Sequence, residues 1–473
     1  MSRLYCEGTV GQLDATYCYI DEHAAGMVAD LQRLVRQPSI SSTNVGVREC
    51  ARLLAAMMGE VGISARVIET DGLPVVYGSI LADRPNAPTL LIYTHYDVQP
   101  ADPEAAWEAP PFEARIVGDR IIGRGTTDAK GNLMVHLKAV EALRATCGLP
   151  INVKFIFDGE EESGSPSLPA FFERHRALLA ADAVLSFDGG FDAGDVPRIT
   201  LGSSGLVSVT LRAHGAKKDL HSARARLVPN PAWKLVWALA SMKSRDGTIT
   251  IDGFYDHVRP PTEAERRLLE QAGWDDAAQL RDLGVDRFLG GVTGVDALQQ
   301  LLYAPTCNIS GIAAGYVGLG RKTLLPAVAE VNLDFRLVAD QRPQDIVEKV
   351  KTHLVRNGFG DIEVFSESGV EPSRTSPDTP FARLVADAAR IVYQREPRIA
   401  PTSDASGRQG VWFATKLGVP GAGSAIGPPD WRGHAANEFI TLSHYIAGVK
   451  YAATIWTLFG DQQTTAPELA VSR

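Results

Sequence analysis

Three short apolar runs constrain this chain more than any other feature of it. APTLLIYTHYD (87–97), INVKFIFDGEEE (151–162) and ADAVLSFDGG (181–190) each read as a buried β-strand, and each stops on acidic or histidine residues. The helical segment GNLMVHLKAVEALRAT (131–146) lies between the first two, and a further helix is expected over about residues 20–36. Strands alternating with helices in this way predict an α/β fold built on a parallel sheet. In open α/β sheets, ligands bind beyond the carboxyl ends of the strands, so any chemistry is expected where these runs stop.

From about Gly205 the texture changes. The alternating strands GLVSVTLRAHG, NISGIAAGYVG, AEVNLDFRLVA and DIEVFSES are interleaved with the helical stretches PAWKLVWALASMK and RPQDIVEKVKTHLVRNG, which reads as a separate α+β layer. Residues 255–300 are polar, helical and marked by proline. After the Ser-, Pro- and Thr-rich ESGVEPSRTSPDTP, helix and strand alternation resumes and closes on the apolar helix HYIAGVKYAATIWTLFG. The expected organisation is a first domain over 1–204 and 376–473, interrupted by a second over 205–375.

Composition limits the classes of function. A chain of 473 residues is long enough for two or three domains. Its 47 Lys+Arg against 56 Asp+Glu give a formal charge of −9, which repels phosphate backbones, so no nucleic-acid partner is expected. No run approaches the roughly 18–20 apolar residues of a membrane span, and MSRLYCEGTVGQLDATY lacks the layout of a secretion signal. No membrane partner and a cytoplasmic location follow as expectations. The cysteines Cys6, Cys18, Cys50, Cys147 and Cys307 are scattered, with no Cys-x-x-Cys pair, and read as reduced structural thiols.

Five segments deliver a metal-capable side chain at the end of an apolar run: Thr94-His95-Tyr96-Asp97, Gly125-Thr126-Thr127-Asp128, Glu160-Glu161-Glu162, Phe187-Asp188 and Gly433-His434. Singly, a strand-end His-x-Asp reads as a surface pair and a glutamate triplet as a solvated edge. Yet three like charges directly after FIFDG repel one another and are costly without a cation. With His95, Asp128, Glu162, Asp188 and His434 as ligands, three carboxylates face two divalent ions, and one hydroxide brings the sum to zero.

Taken together, YTHYDVQP, GRGTTDAKG, DGEEESGS, SFDGG and RGHAANE resemble, in order and approximate spacing, the co-catalytic zinc peptidase family of carnosinases, aminoacylase, carboxypeptidase G and succinyl-diaminopimelate desuccinylase. KKDLHSA and KTLLPAVAEVNLDFRL are most similar to the carnosinase-like dipeptidase branch. The resemblance implies an α/β/α catalytic domain interrupted by an α+β lid and dimerisation domain, hence a homodimer. It implies that His95, Asp128 and Asp188 hold one metal and Asp128, Glu162 and His434 the other, with Asp128 as the bridge. Aligning on Glu-Ser-Gly makes Glu161 the general base toward the attacking water and leaves Glu160 as an outer neighbour. Asp97 matches the residue that orients the ligating imidazole of His95. His221 is nominated as an oxyanion donor from the partner's lid, Arg336 as the group that binds a substrate carboxylate, and Thr323 as a neighbouring substrate contact.

The other histidines, His23, His136, His175, His214, His257, His353 and His444, match no ligand motif and read as structural. The chain departs from the branch at Ala129, where an acidic residue is usual, and at Ala223, where glycine is. PTSDASGRQGVWFATKLGVP looks more like the desuccinylase branch. The expected activity is metal-dependent amide hydrolysis of dipeptides or short peptides. Two alternatives stay open: an N-acyl-amino-acid amidohydrolase using the same site, and a catalytically silent scaffold, which would have no need for Glu161. The ligand types favour zinc, though manganese and cobalt suit the same donors.

Overall fold

The structure is a computed structural model that describes residues 9–101, 103–366, 369–404 and 409–464. Cys6 lies outside these residues, as do 367–368 and 405–408 of two segments singled out above. The chain separates into two compact units. The first takes the chain up to Gly202, Thr375–Pro401 and the C-terminal part, and the second takes Ser203–Arg374 with a short segment starting at Thr402.

The first unit is organised on an eight-stranded mixed sheet. Its centre is parallel: Thr89–His95 pairs with Asn152–Asp158 on one side and Ala183–Phe187 on the other, and Gly421–Ser424 continues beyond the latter. The antiparallel strands Val75–Ile80 and Ser64–Ile68 extend one edge, and Arg198–Thr200 with Arg398–Ala400 form the other. Central strands covered on both faces must be apolar at successive positions, and Ala183–Phe187 is buried throughout. Leu90 and Ile92 point into a core shared with the helices Ala24–Val35, Val47–Glu60, Lys130–Thr146, Pro380–Tyr393 and Leu442–Thr464. Leu91 and Tyr93 point the opposite way, against Leu168–His175 and the helix carrying Trp412 and Phe413. The period of two in the strand therefore produces an α/β/α sandwich.

The N-terminal helix expected at about 20–36 is instead two helices, Thr9–Glu22 and Ala24–Val35. They break at His23, whose φ of −103° and ψ of 8° leave the helical region. No helix among the described residues is long and apolar enough to cross a membrane.

The second unit has a four-stranded antiparallel sheet in which Val328–Leu337 and Gly205–His214 are central, flanked by Asn308–Ala314 and Glu363–Ser366. Burial alternates along both central strands, as an antiparallel sheet with one covered face requires. Val207, Val209, Leu211, Leu333 and Phe335 pack beneath the helices Pro231–Met242 and Pro343–Arg356. The polar 255–300 segment forms short helices over Glu263–Gln271, Asp276–Leu283 and Gly294–Tyr303, the first opened by a Thr262/Glu265 capping box.

Candidate metal centre

Register brings the chemistry together. His95 pairs with Asp158 at the carboxyl end of the parallel strands, the glutamate triplet begins two residues after Asp158, and Asp188 directly follows Phe187 on the adjacent strand. Asp128 arrives on a loop just before helix Lys130–Thr146, with a cis peptide bond to Ala129. His434 sits in the loop before Phe439–Thr441. A Cβ on Gly433 ahead of it would lie 2.5 Å from the Trp431 ring, so a side chain there would require the ring to move.

His95 is buried, with Nδ1 3.0 Å from the backbone carbonyl of Asp97 and 3.3 Å from its carboxylate. That pairing puts the proton on Nδ1 and leaves the Nε2 lone pair directed inward. Nε2 has no hydrogen-bond partner among the described residues and lies 3.1 Å from Asp128 Oδ1 and 3.7 Å from Asp188 Oδ1. The other Asp128 oxygen is 3.1 Å from His434 Nε2, which in turn is 3.4 Å from Glu162 Oε2. Two three-residue groups result, His95/Asp128/Asp188 and Asp128/Glu162/His434, each with one donor atom per residue and all three within 4.8 Å of one another. Asp128 belongs to both and offers each a different oxygen.

Each glutamate of the triplet meets different surroundings. Glu160 turns away to accept the backbone N–H groups of Leu73 and Ser167. Glu161 and Glu162 have their backbone N–H groups held, at 3.1 Å each, by the two oxygens of Asp97. Glu162 Oε2 also accepts from Gln99 Nε2 at 2.9 Å.

The electrostatics of the site favour positive charge. Burial, reinforced by Asp188, Asp128 and Asp97, pushes the Glu161 carboxyl well above its usual range against the pull of His95. Burial and the neighbouring Asp128 push Glu162 up to about 7. Burial alone would lower His95, but Asp128, Asp188 and Asp97 outweigh it and hold the imidazole well above its usual range. Protons gather where the field favours cations. Imidazole nitrogen and carboxylate oxygen in sets of three suit a divalent ion that keeps a position open for water or substrate, so the residues present fit a pair of such ions.

The matching pattern of Peptidase family M20/M25/M40 spans residues 91–457, which takes in all five donors. The chain belongs to that family. It is 27% identical to the Beta-Ala-His dipeptidase of Rattus norvegicus over 94% of this chain and 95% of that protein. It is also 27% identical to the Cys-Gly metallodipeptidase dug1 of Schizosaccharomyces pombe, over 93% of this chain and 97% of that protein. Among solved structures, the M20 family metallo-carboxypeptidase Sso-CP2 from Sulfolobus solfataricus superposes with a TM-score of 0.81 at 36% identity, covering 92% of this chain and 99% of that one.

The remaining sequence candidates lie in the second unit. His221 lies on a two-stranded ribbon of Leu220–His221 and Leu324–Leu325, and Thr323, directly before Leu324, has its Oγ1 3.5 Å from His221 Nε2. His221 Nδ1 accepts the backbone N–H of Ala223, and the residue is exposed. Arg336 stands on the central strand Val328–Leu337, at a half-buried position out of phase with the core residues Phe335 and Leu337.

Two residues of the site have no place in the expectations above. Glu438 is fully buried and accepts from three backbone N–H groups and from Arg124. Both lie inside the quoted segments GRGTTDAKG and RGHAANE. The signal available was a Glu directly before the apolar run FIT, where a solvated carboxylate has no reason to be.

Proposed function

We propose that this chain hydrolyses the amide bond of dipeptides and very short peptides next to their free carboxylate, using a pair of divalent metal ions, with zinc first among them. The observation that carries this is the sharing of Asp128 between two donor groups, with Glu161 in the turn directly beside them. Ions held there would supply Lewis acidity, acidifying a water and polarising the scissile carbonyl.

The chain's own residues do the rest. Glu161 accepts a proton from the attacking water and returns it to the leaving amine. Asp97 fixes the His95 tautomer and anchors the backbone of Glu161 and Glu162. We assign Arg336 to the substrate carboxylate, which a planar guanidinium can bind with two parallel hydrogen bonds, Thr323 to a neighbouring contact, and His221 to the developing oxyanion, acting in a homodimer from the partner's lid. Support for a dimer comes from Trp233, Val236 and Trp237, which present an exposed apolar face on helix Pro231–Met242, and from Ile309 and Ile312, exposed on the edge strand Asn308–Ala314. The four described cysteines are free thiols, in keeping with a reducing cytoplasm.

The relatives named above, two dipeptidases and a metallo-carboxypeptidase, favour this activity over deacylation. The test is a panel of β-alanyl-histidine, cysteinyl-glycine and their N-acetylated forms, with zinc or manganese supplied. Turnover of the free dipeptides is expected, and Glu161→Gln should lower kcat by about 10²–10⁴-fold while metal content stays unchanged. Turnover of the N-acetylated forms alone, or undiminished turnover by the variant, would contradict the reading.

A further inference from the structure

Among the described residues no hydrogen bond joins Glu438 to a donor atom of the metal centre, yet the segments that hold it lead there. Its side chain is completely buried. Oε1 accepts the backbone N–H of Thr127 at 2.9 Å and of Asp128 at 3.0 Å, while Oε2 accepts the N–H of Gly125 at 3.0 Å and Arg124 Nη1 at 2.9 Å. A buried carboxylate with four donors, one of them charged, is fully satisfied, and removing any one leaves a costly vacancy.

Arg124, also buried, extends the network. Its Nη2 donates to the carbonyl of Pro100 at 3.1 Å and to the carbonyl of His434 at 3.2 Å, and its guanidinium lies over the Trp107 ring. One ion pair thus joins three pieces of backbone: the segment following His95 and Asp97, the loop that ends in Asp128, and the loop that carries His434.

That last loop needs holding. Arg432, His434 and Asn437 all have positive φ, of 62°, 57° and 64°, in a region that residues other than glycine occupy at a cost of order 1–3 kcal/mol each. Such a conformation persists only where its surroundings over-determine it. Here the ties are the Arg124–His434 contact, the Glu438 cluster, and Asn437 Oδ1, which accepts the backbone N–H of Glu108 at 2.7 Å.

We propose that the buried Arg124–Glu438 pair is the positioning device of the metal centre: it fixes Asp128 and His434 at the separation that lets one carboxylate serve two ions. Neither residue touches substrate or the reacting atoms. The inference rests on the dimetal reading above, and its test keeps the two apart.

The probe is cobalt(II) alone, titrated into the chelator-stripped full chain by calorimetry and by its visible absorption, with dipeptide kinetics measured in parallel. In Glu438→Gln an amide N–H₂ replaces one acceptor oxygen and opposes the backbone donors. Cobalt affinity is expected to fall by about 10–100-fold for at least one equivalent. The cobalt spectrum should change, and kcat should drop with KM little altered. A variant that melts lower but binds cobalt with wild-type affinity and spectrum would reduce the pair to a purely structural role and overturn the proposal. Should Glu438→Gln fail to fold, Arg124→Lys decides by the same titration. It keeps the charge but loses the fork that reaches Pro100 and His434, so weakened cobalt binding is expected and unchanged binding overturns the proposal. A wild-type chain that binds no cobalt would instead remove the dimetal reading itself.

Discussion

Asp97 shows how much one side chain can carry. Its two oxygens take the N–H groups of Glu161 and Glu162, and its carboxylate and carbonyl both face His95 Nδ1. Only the second task was expected, from the resemblance of YTHYD to the family motif, whereas the first depends on a register between strands 63 residues apart. Glu160, Glu161 and Glu162 make the same point. Composition cannot rank three identical side chains; the resemblance ranked them by aligning on Glu-Ser-Gly, and the physical reason is the turn after Asp158, which sends the first toward Leu73 while Asp97 holds the backbone of the other two. His136 is a buried residue with a measurable consequence. It packs by Phe187 and Trp456, and neither ring nitrogen has a hydrogen-bond partner among the described residues. Burial pushes it down to about 3 from an ordinary 6.5. Above pH 6.5 it is neutral whether folded or unfolded and contributes no pH dependence. Between these values only the unfolded chain takes the proton, so stability is lost as pH falls, by about 1.4 kcal/mol per pH unit. His136→Phe should therefore flatten the acid limb of melting temperature against pH. An acid limb as steep as that of the wild type would show that His136 is not the group responsible.

Whole elements were legible where an apolar run had no alternative. Thr89–His95, Asn152–Asp158 and Ala183–Phe187 are strands because both their faces are covered, and their continuous apolar texture says so. The helix Thr9–Glu22 was not foreseen. TVGQLDATYCYIDE has little apolar periodicity, and its place is set by packing beside Leu442–Thr464, far away in sequence: Tyr17 Oη lies 2.5 Å from Thr454 Oγ1. Helix Pro231–Met242 carries the opposite signal, being apolar on two faces. Leu235, Ala238 and Met242 are buried, while Trp233, Val236 and Trp237 are not. In the proposed dimer the same helix of the partner would cover the second face, and on that reading Trp237→Glu is expected to shift the chain from dimer to monomer in light scattering while its circular dichroism holds. A wild-type chain that is already monomeric at micromolar concentration would remove this element from any interface.

At the scale of the molecule, the candidate metal centre draws its donors from positions between 95 and 434, about three quarters of the span of the described chain. No local pattern could fix that convergence. It was readable because parallel strands end side by side and because the motifs resemble those of a known family; the clamp of Arg124 and Glu438 was not, since it consists mostly of backbone contacts. On the proposed dimetal reading, the same long-range geometry makes metal binding part of folding. Folding brings the carboxylates of Asp128, Glu162 and Asp188 together, so ions that bind only the folded chain would stabilise it. The direct test is to strip the protein with a chelator and return zinc in steps, following heat of binding, melting temperature and dipeptide hydrolysis together. The account predicts two equivalents bound, a melting temperature that rises as they bind, and activity that returns with the second. Zinc that fails to bind saturably, with an unchanged melting curve, would contradict it.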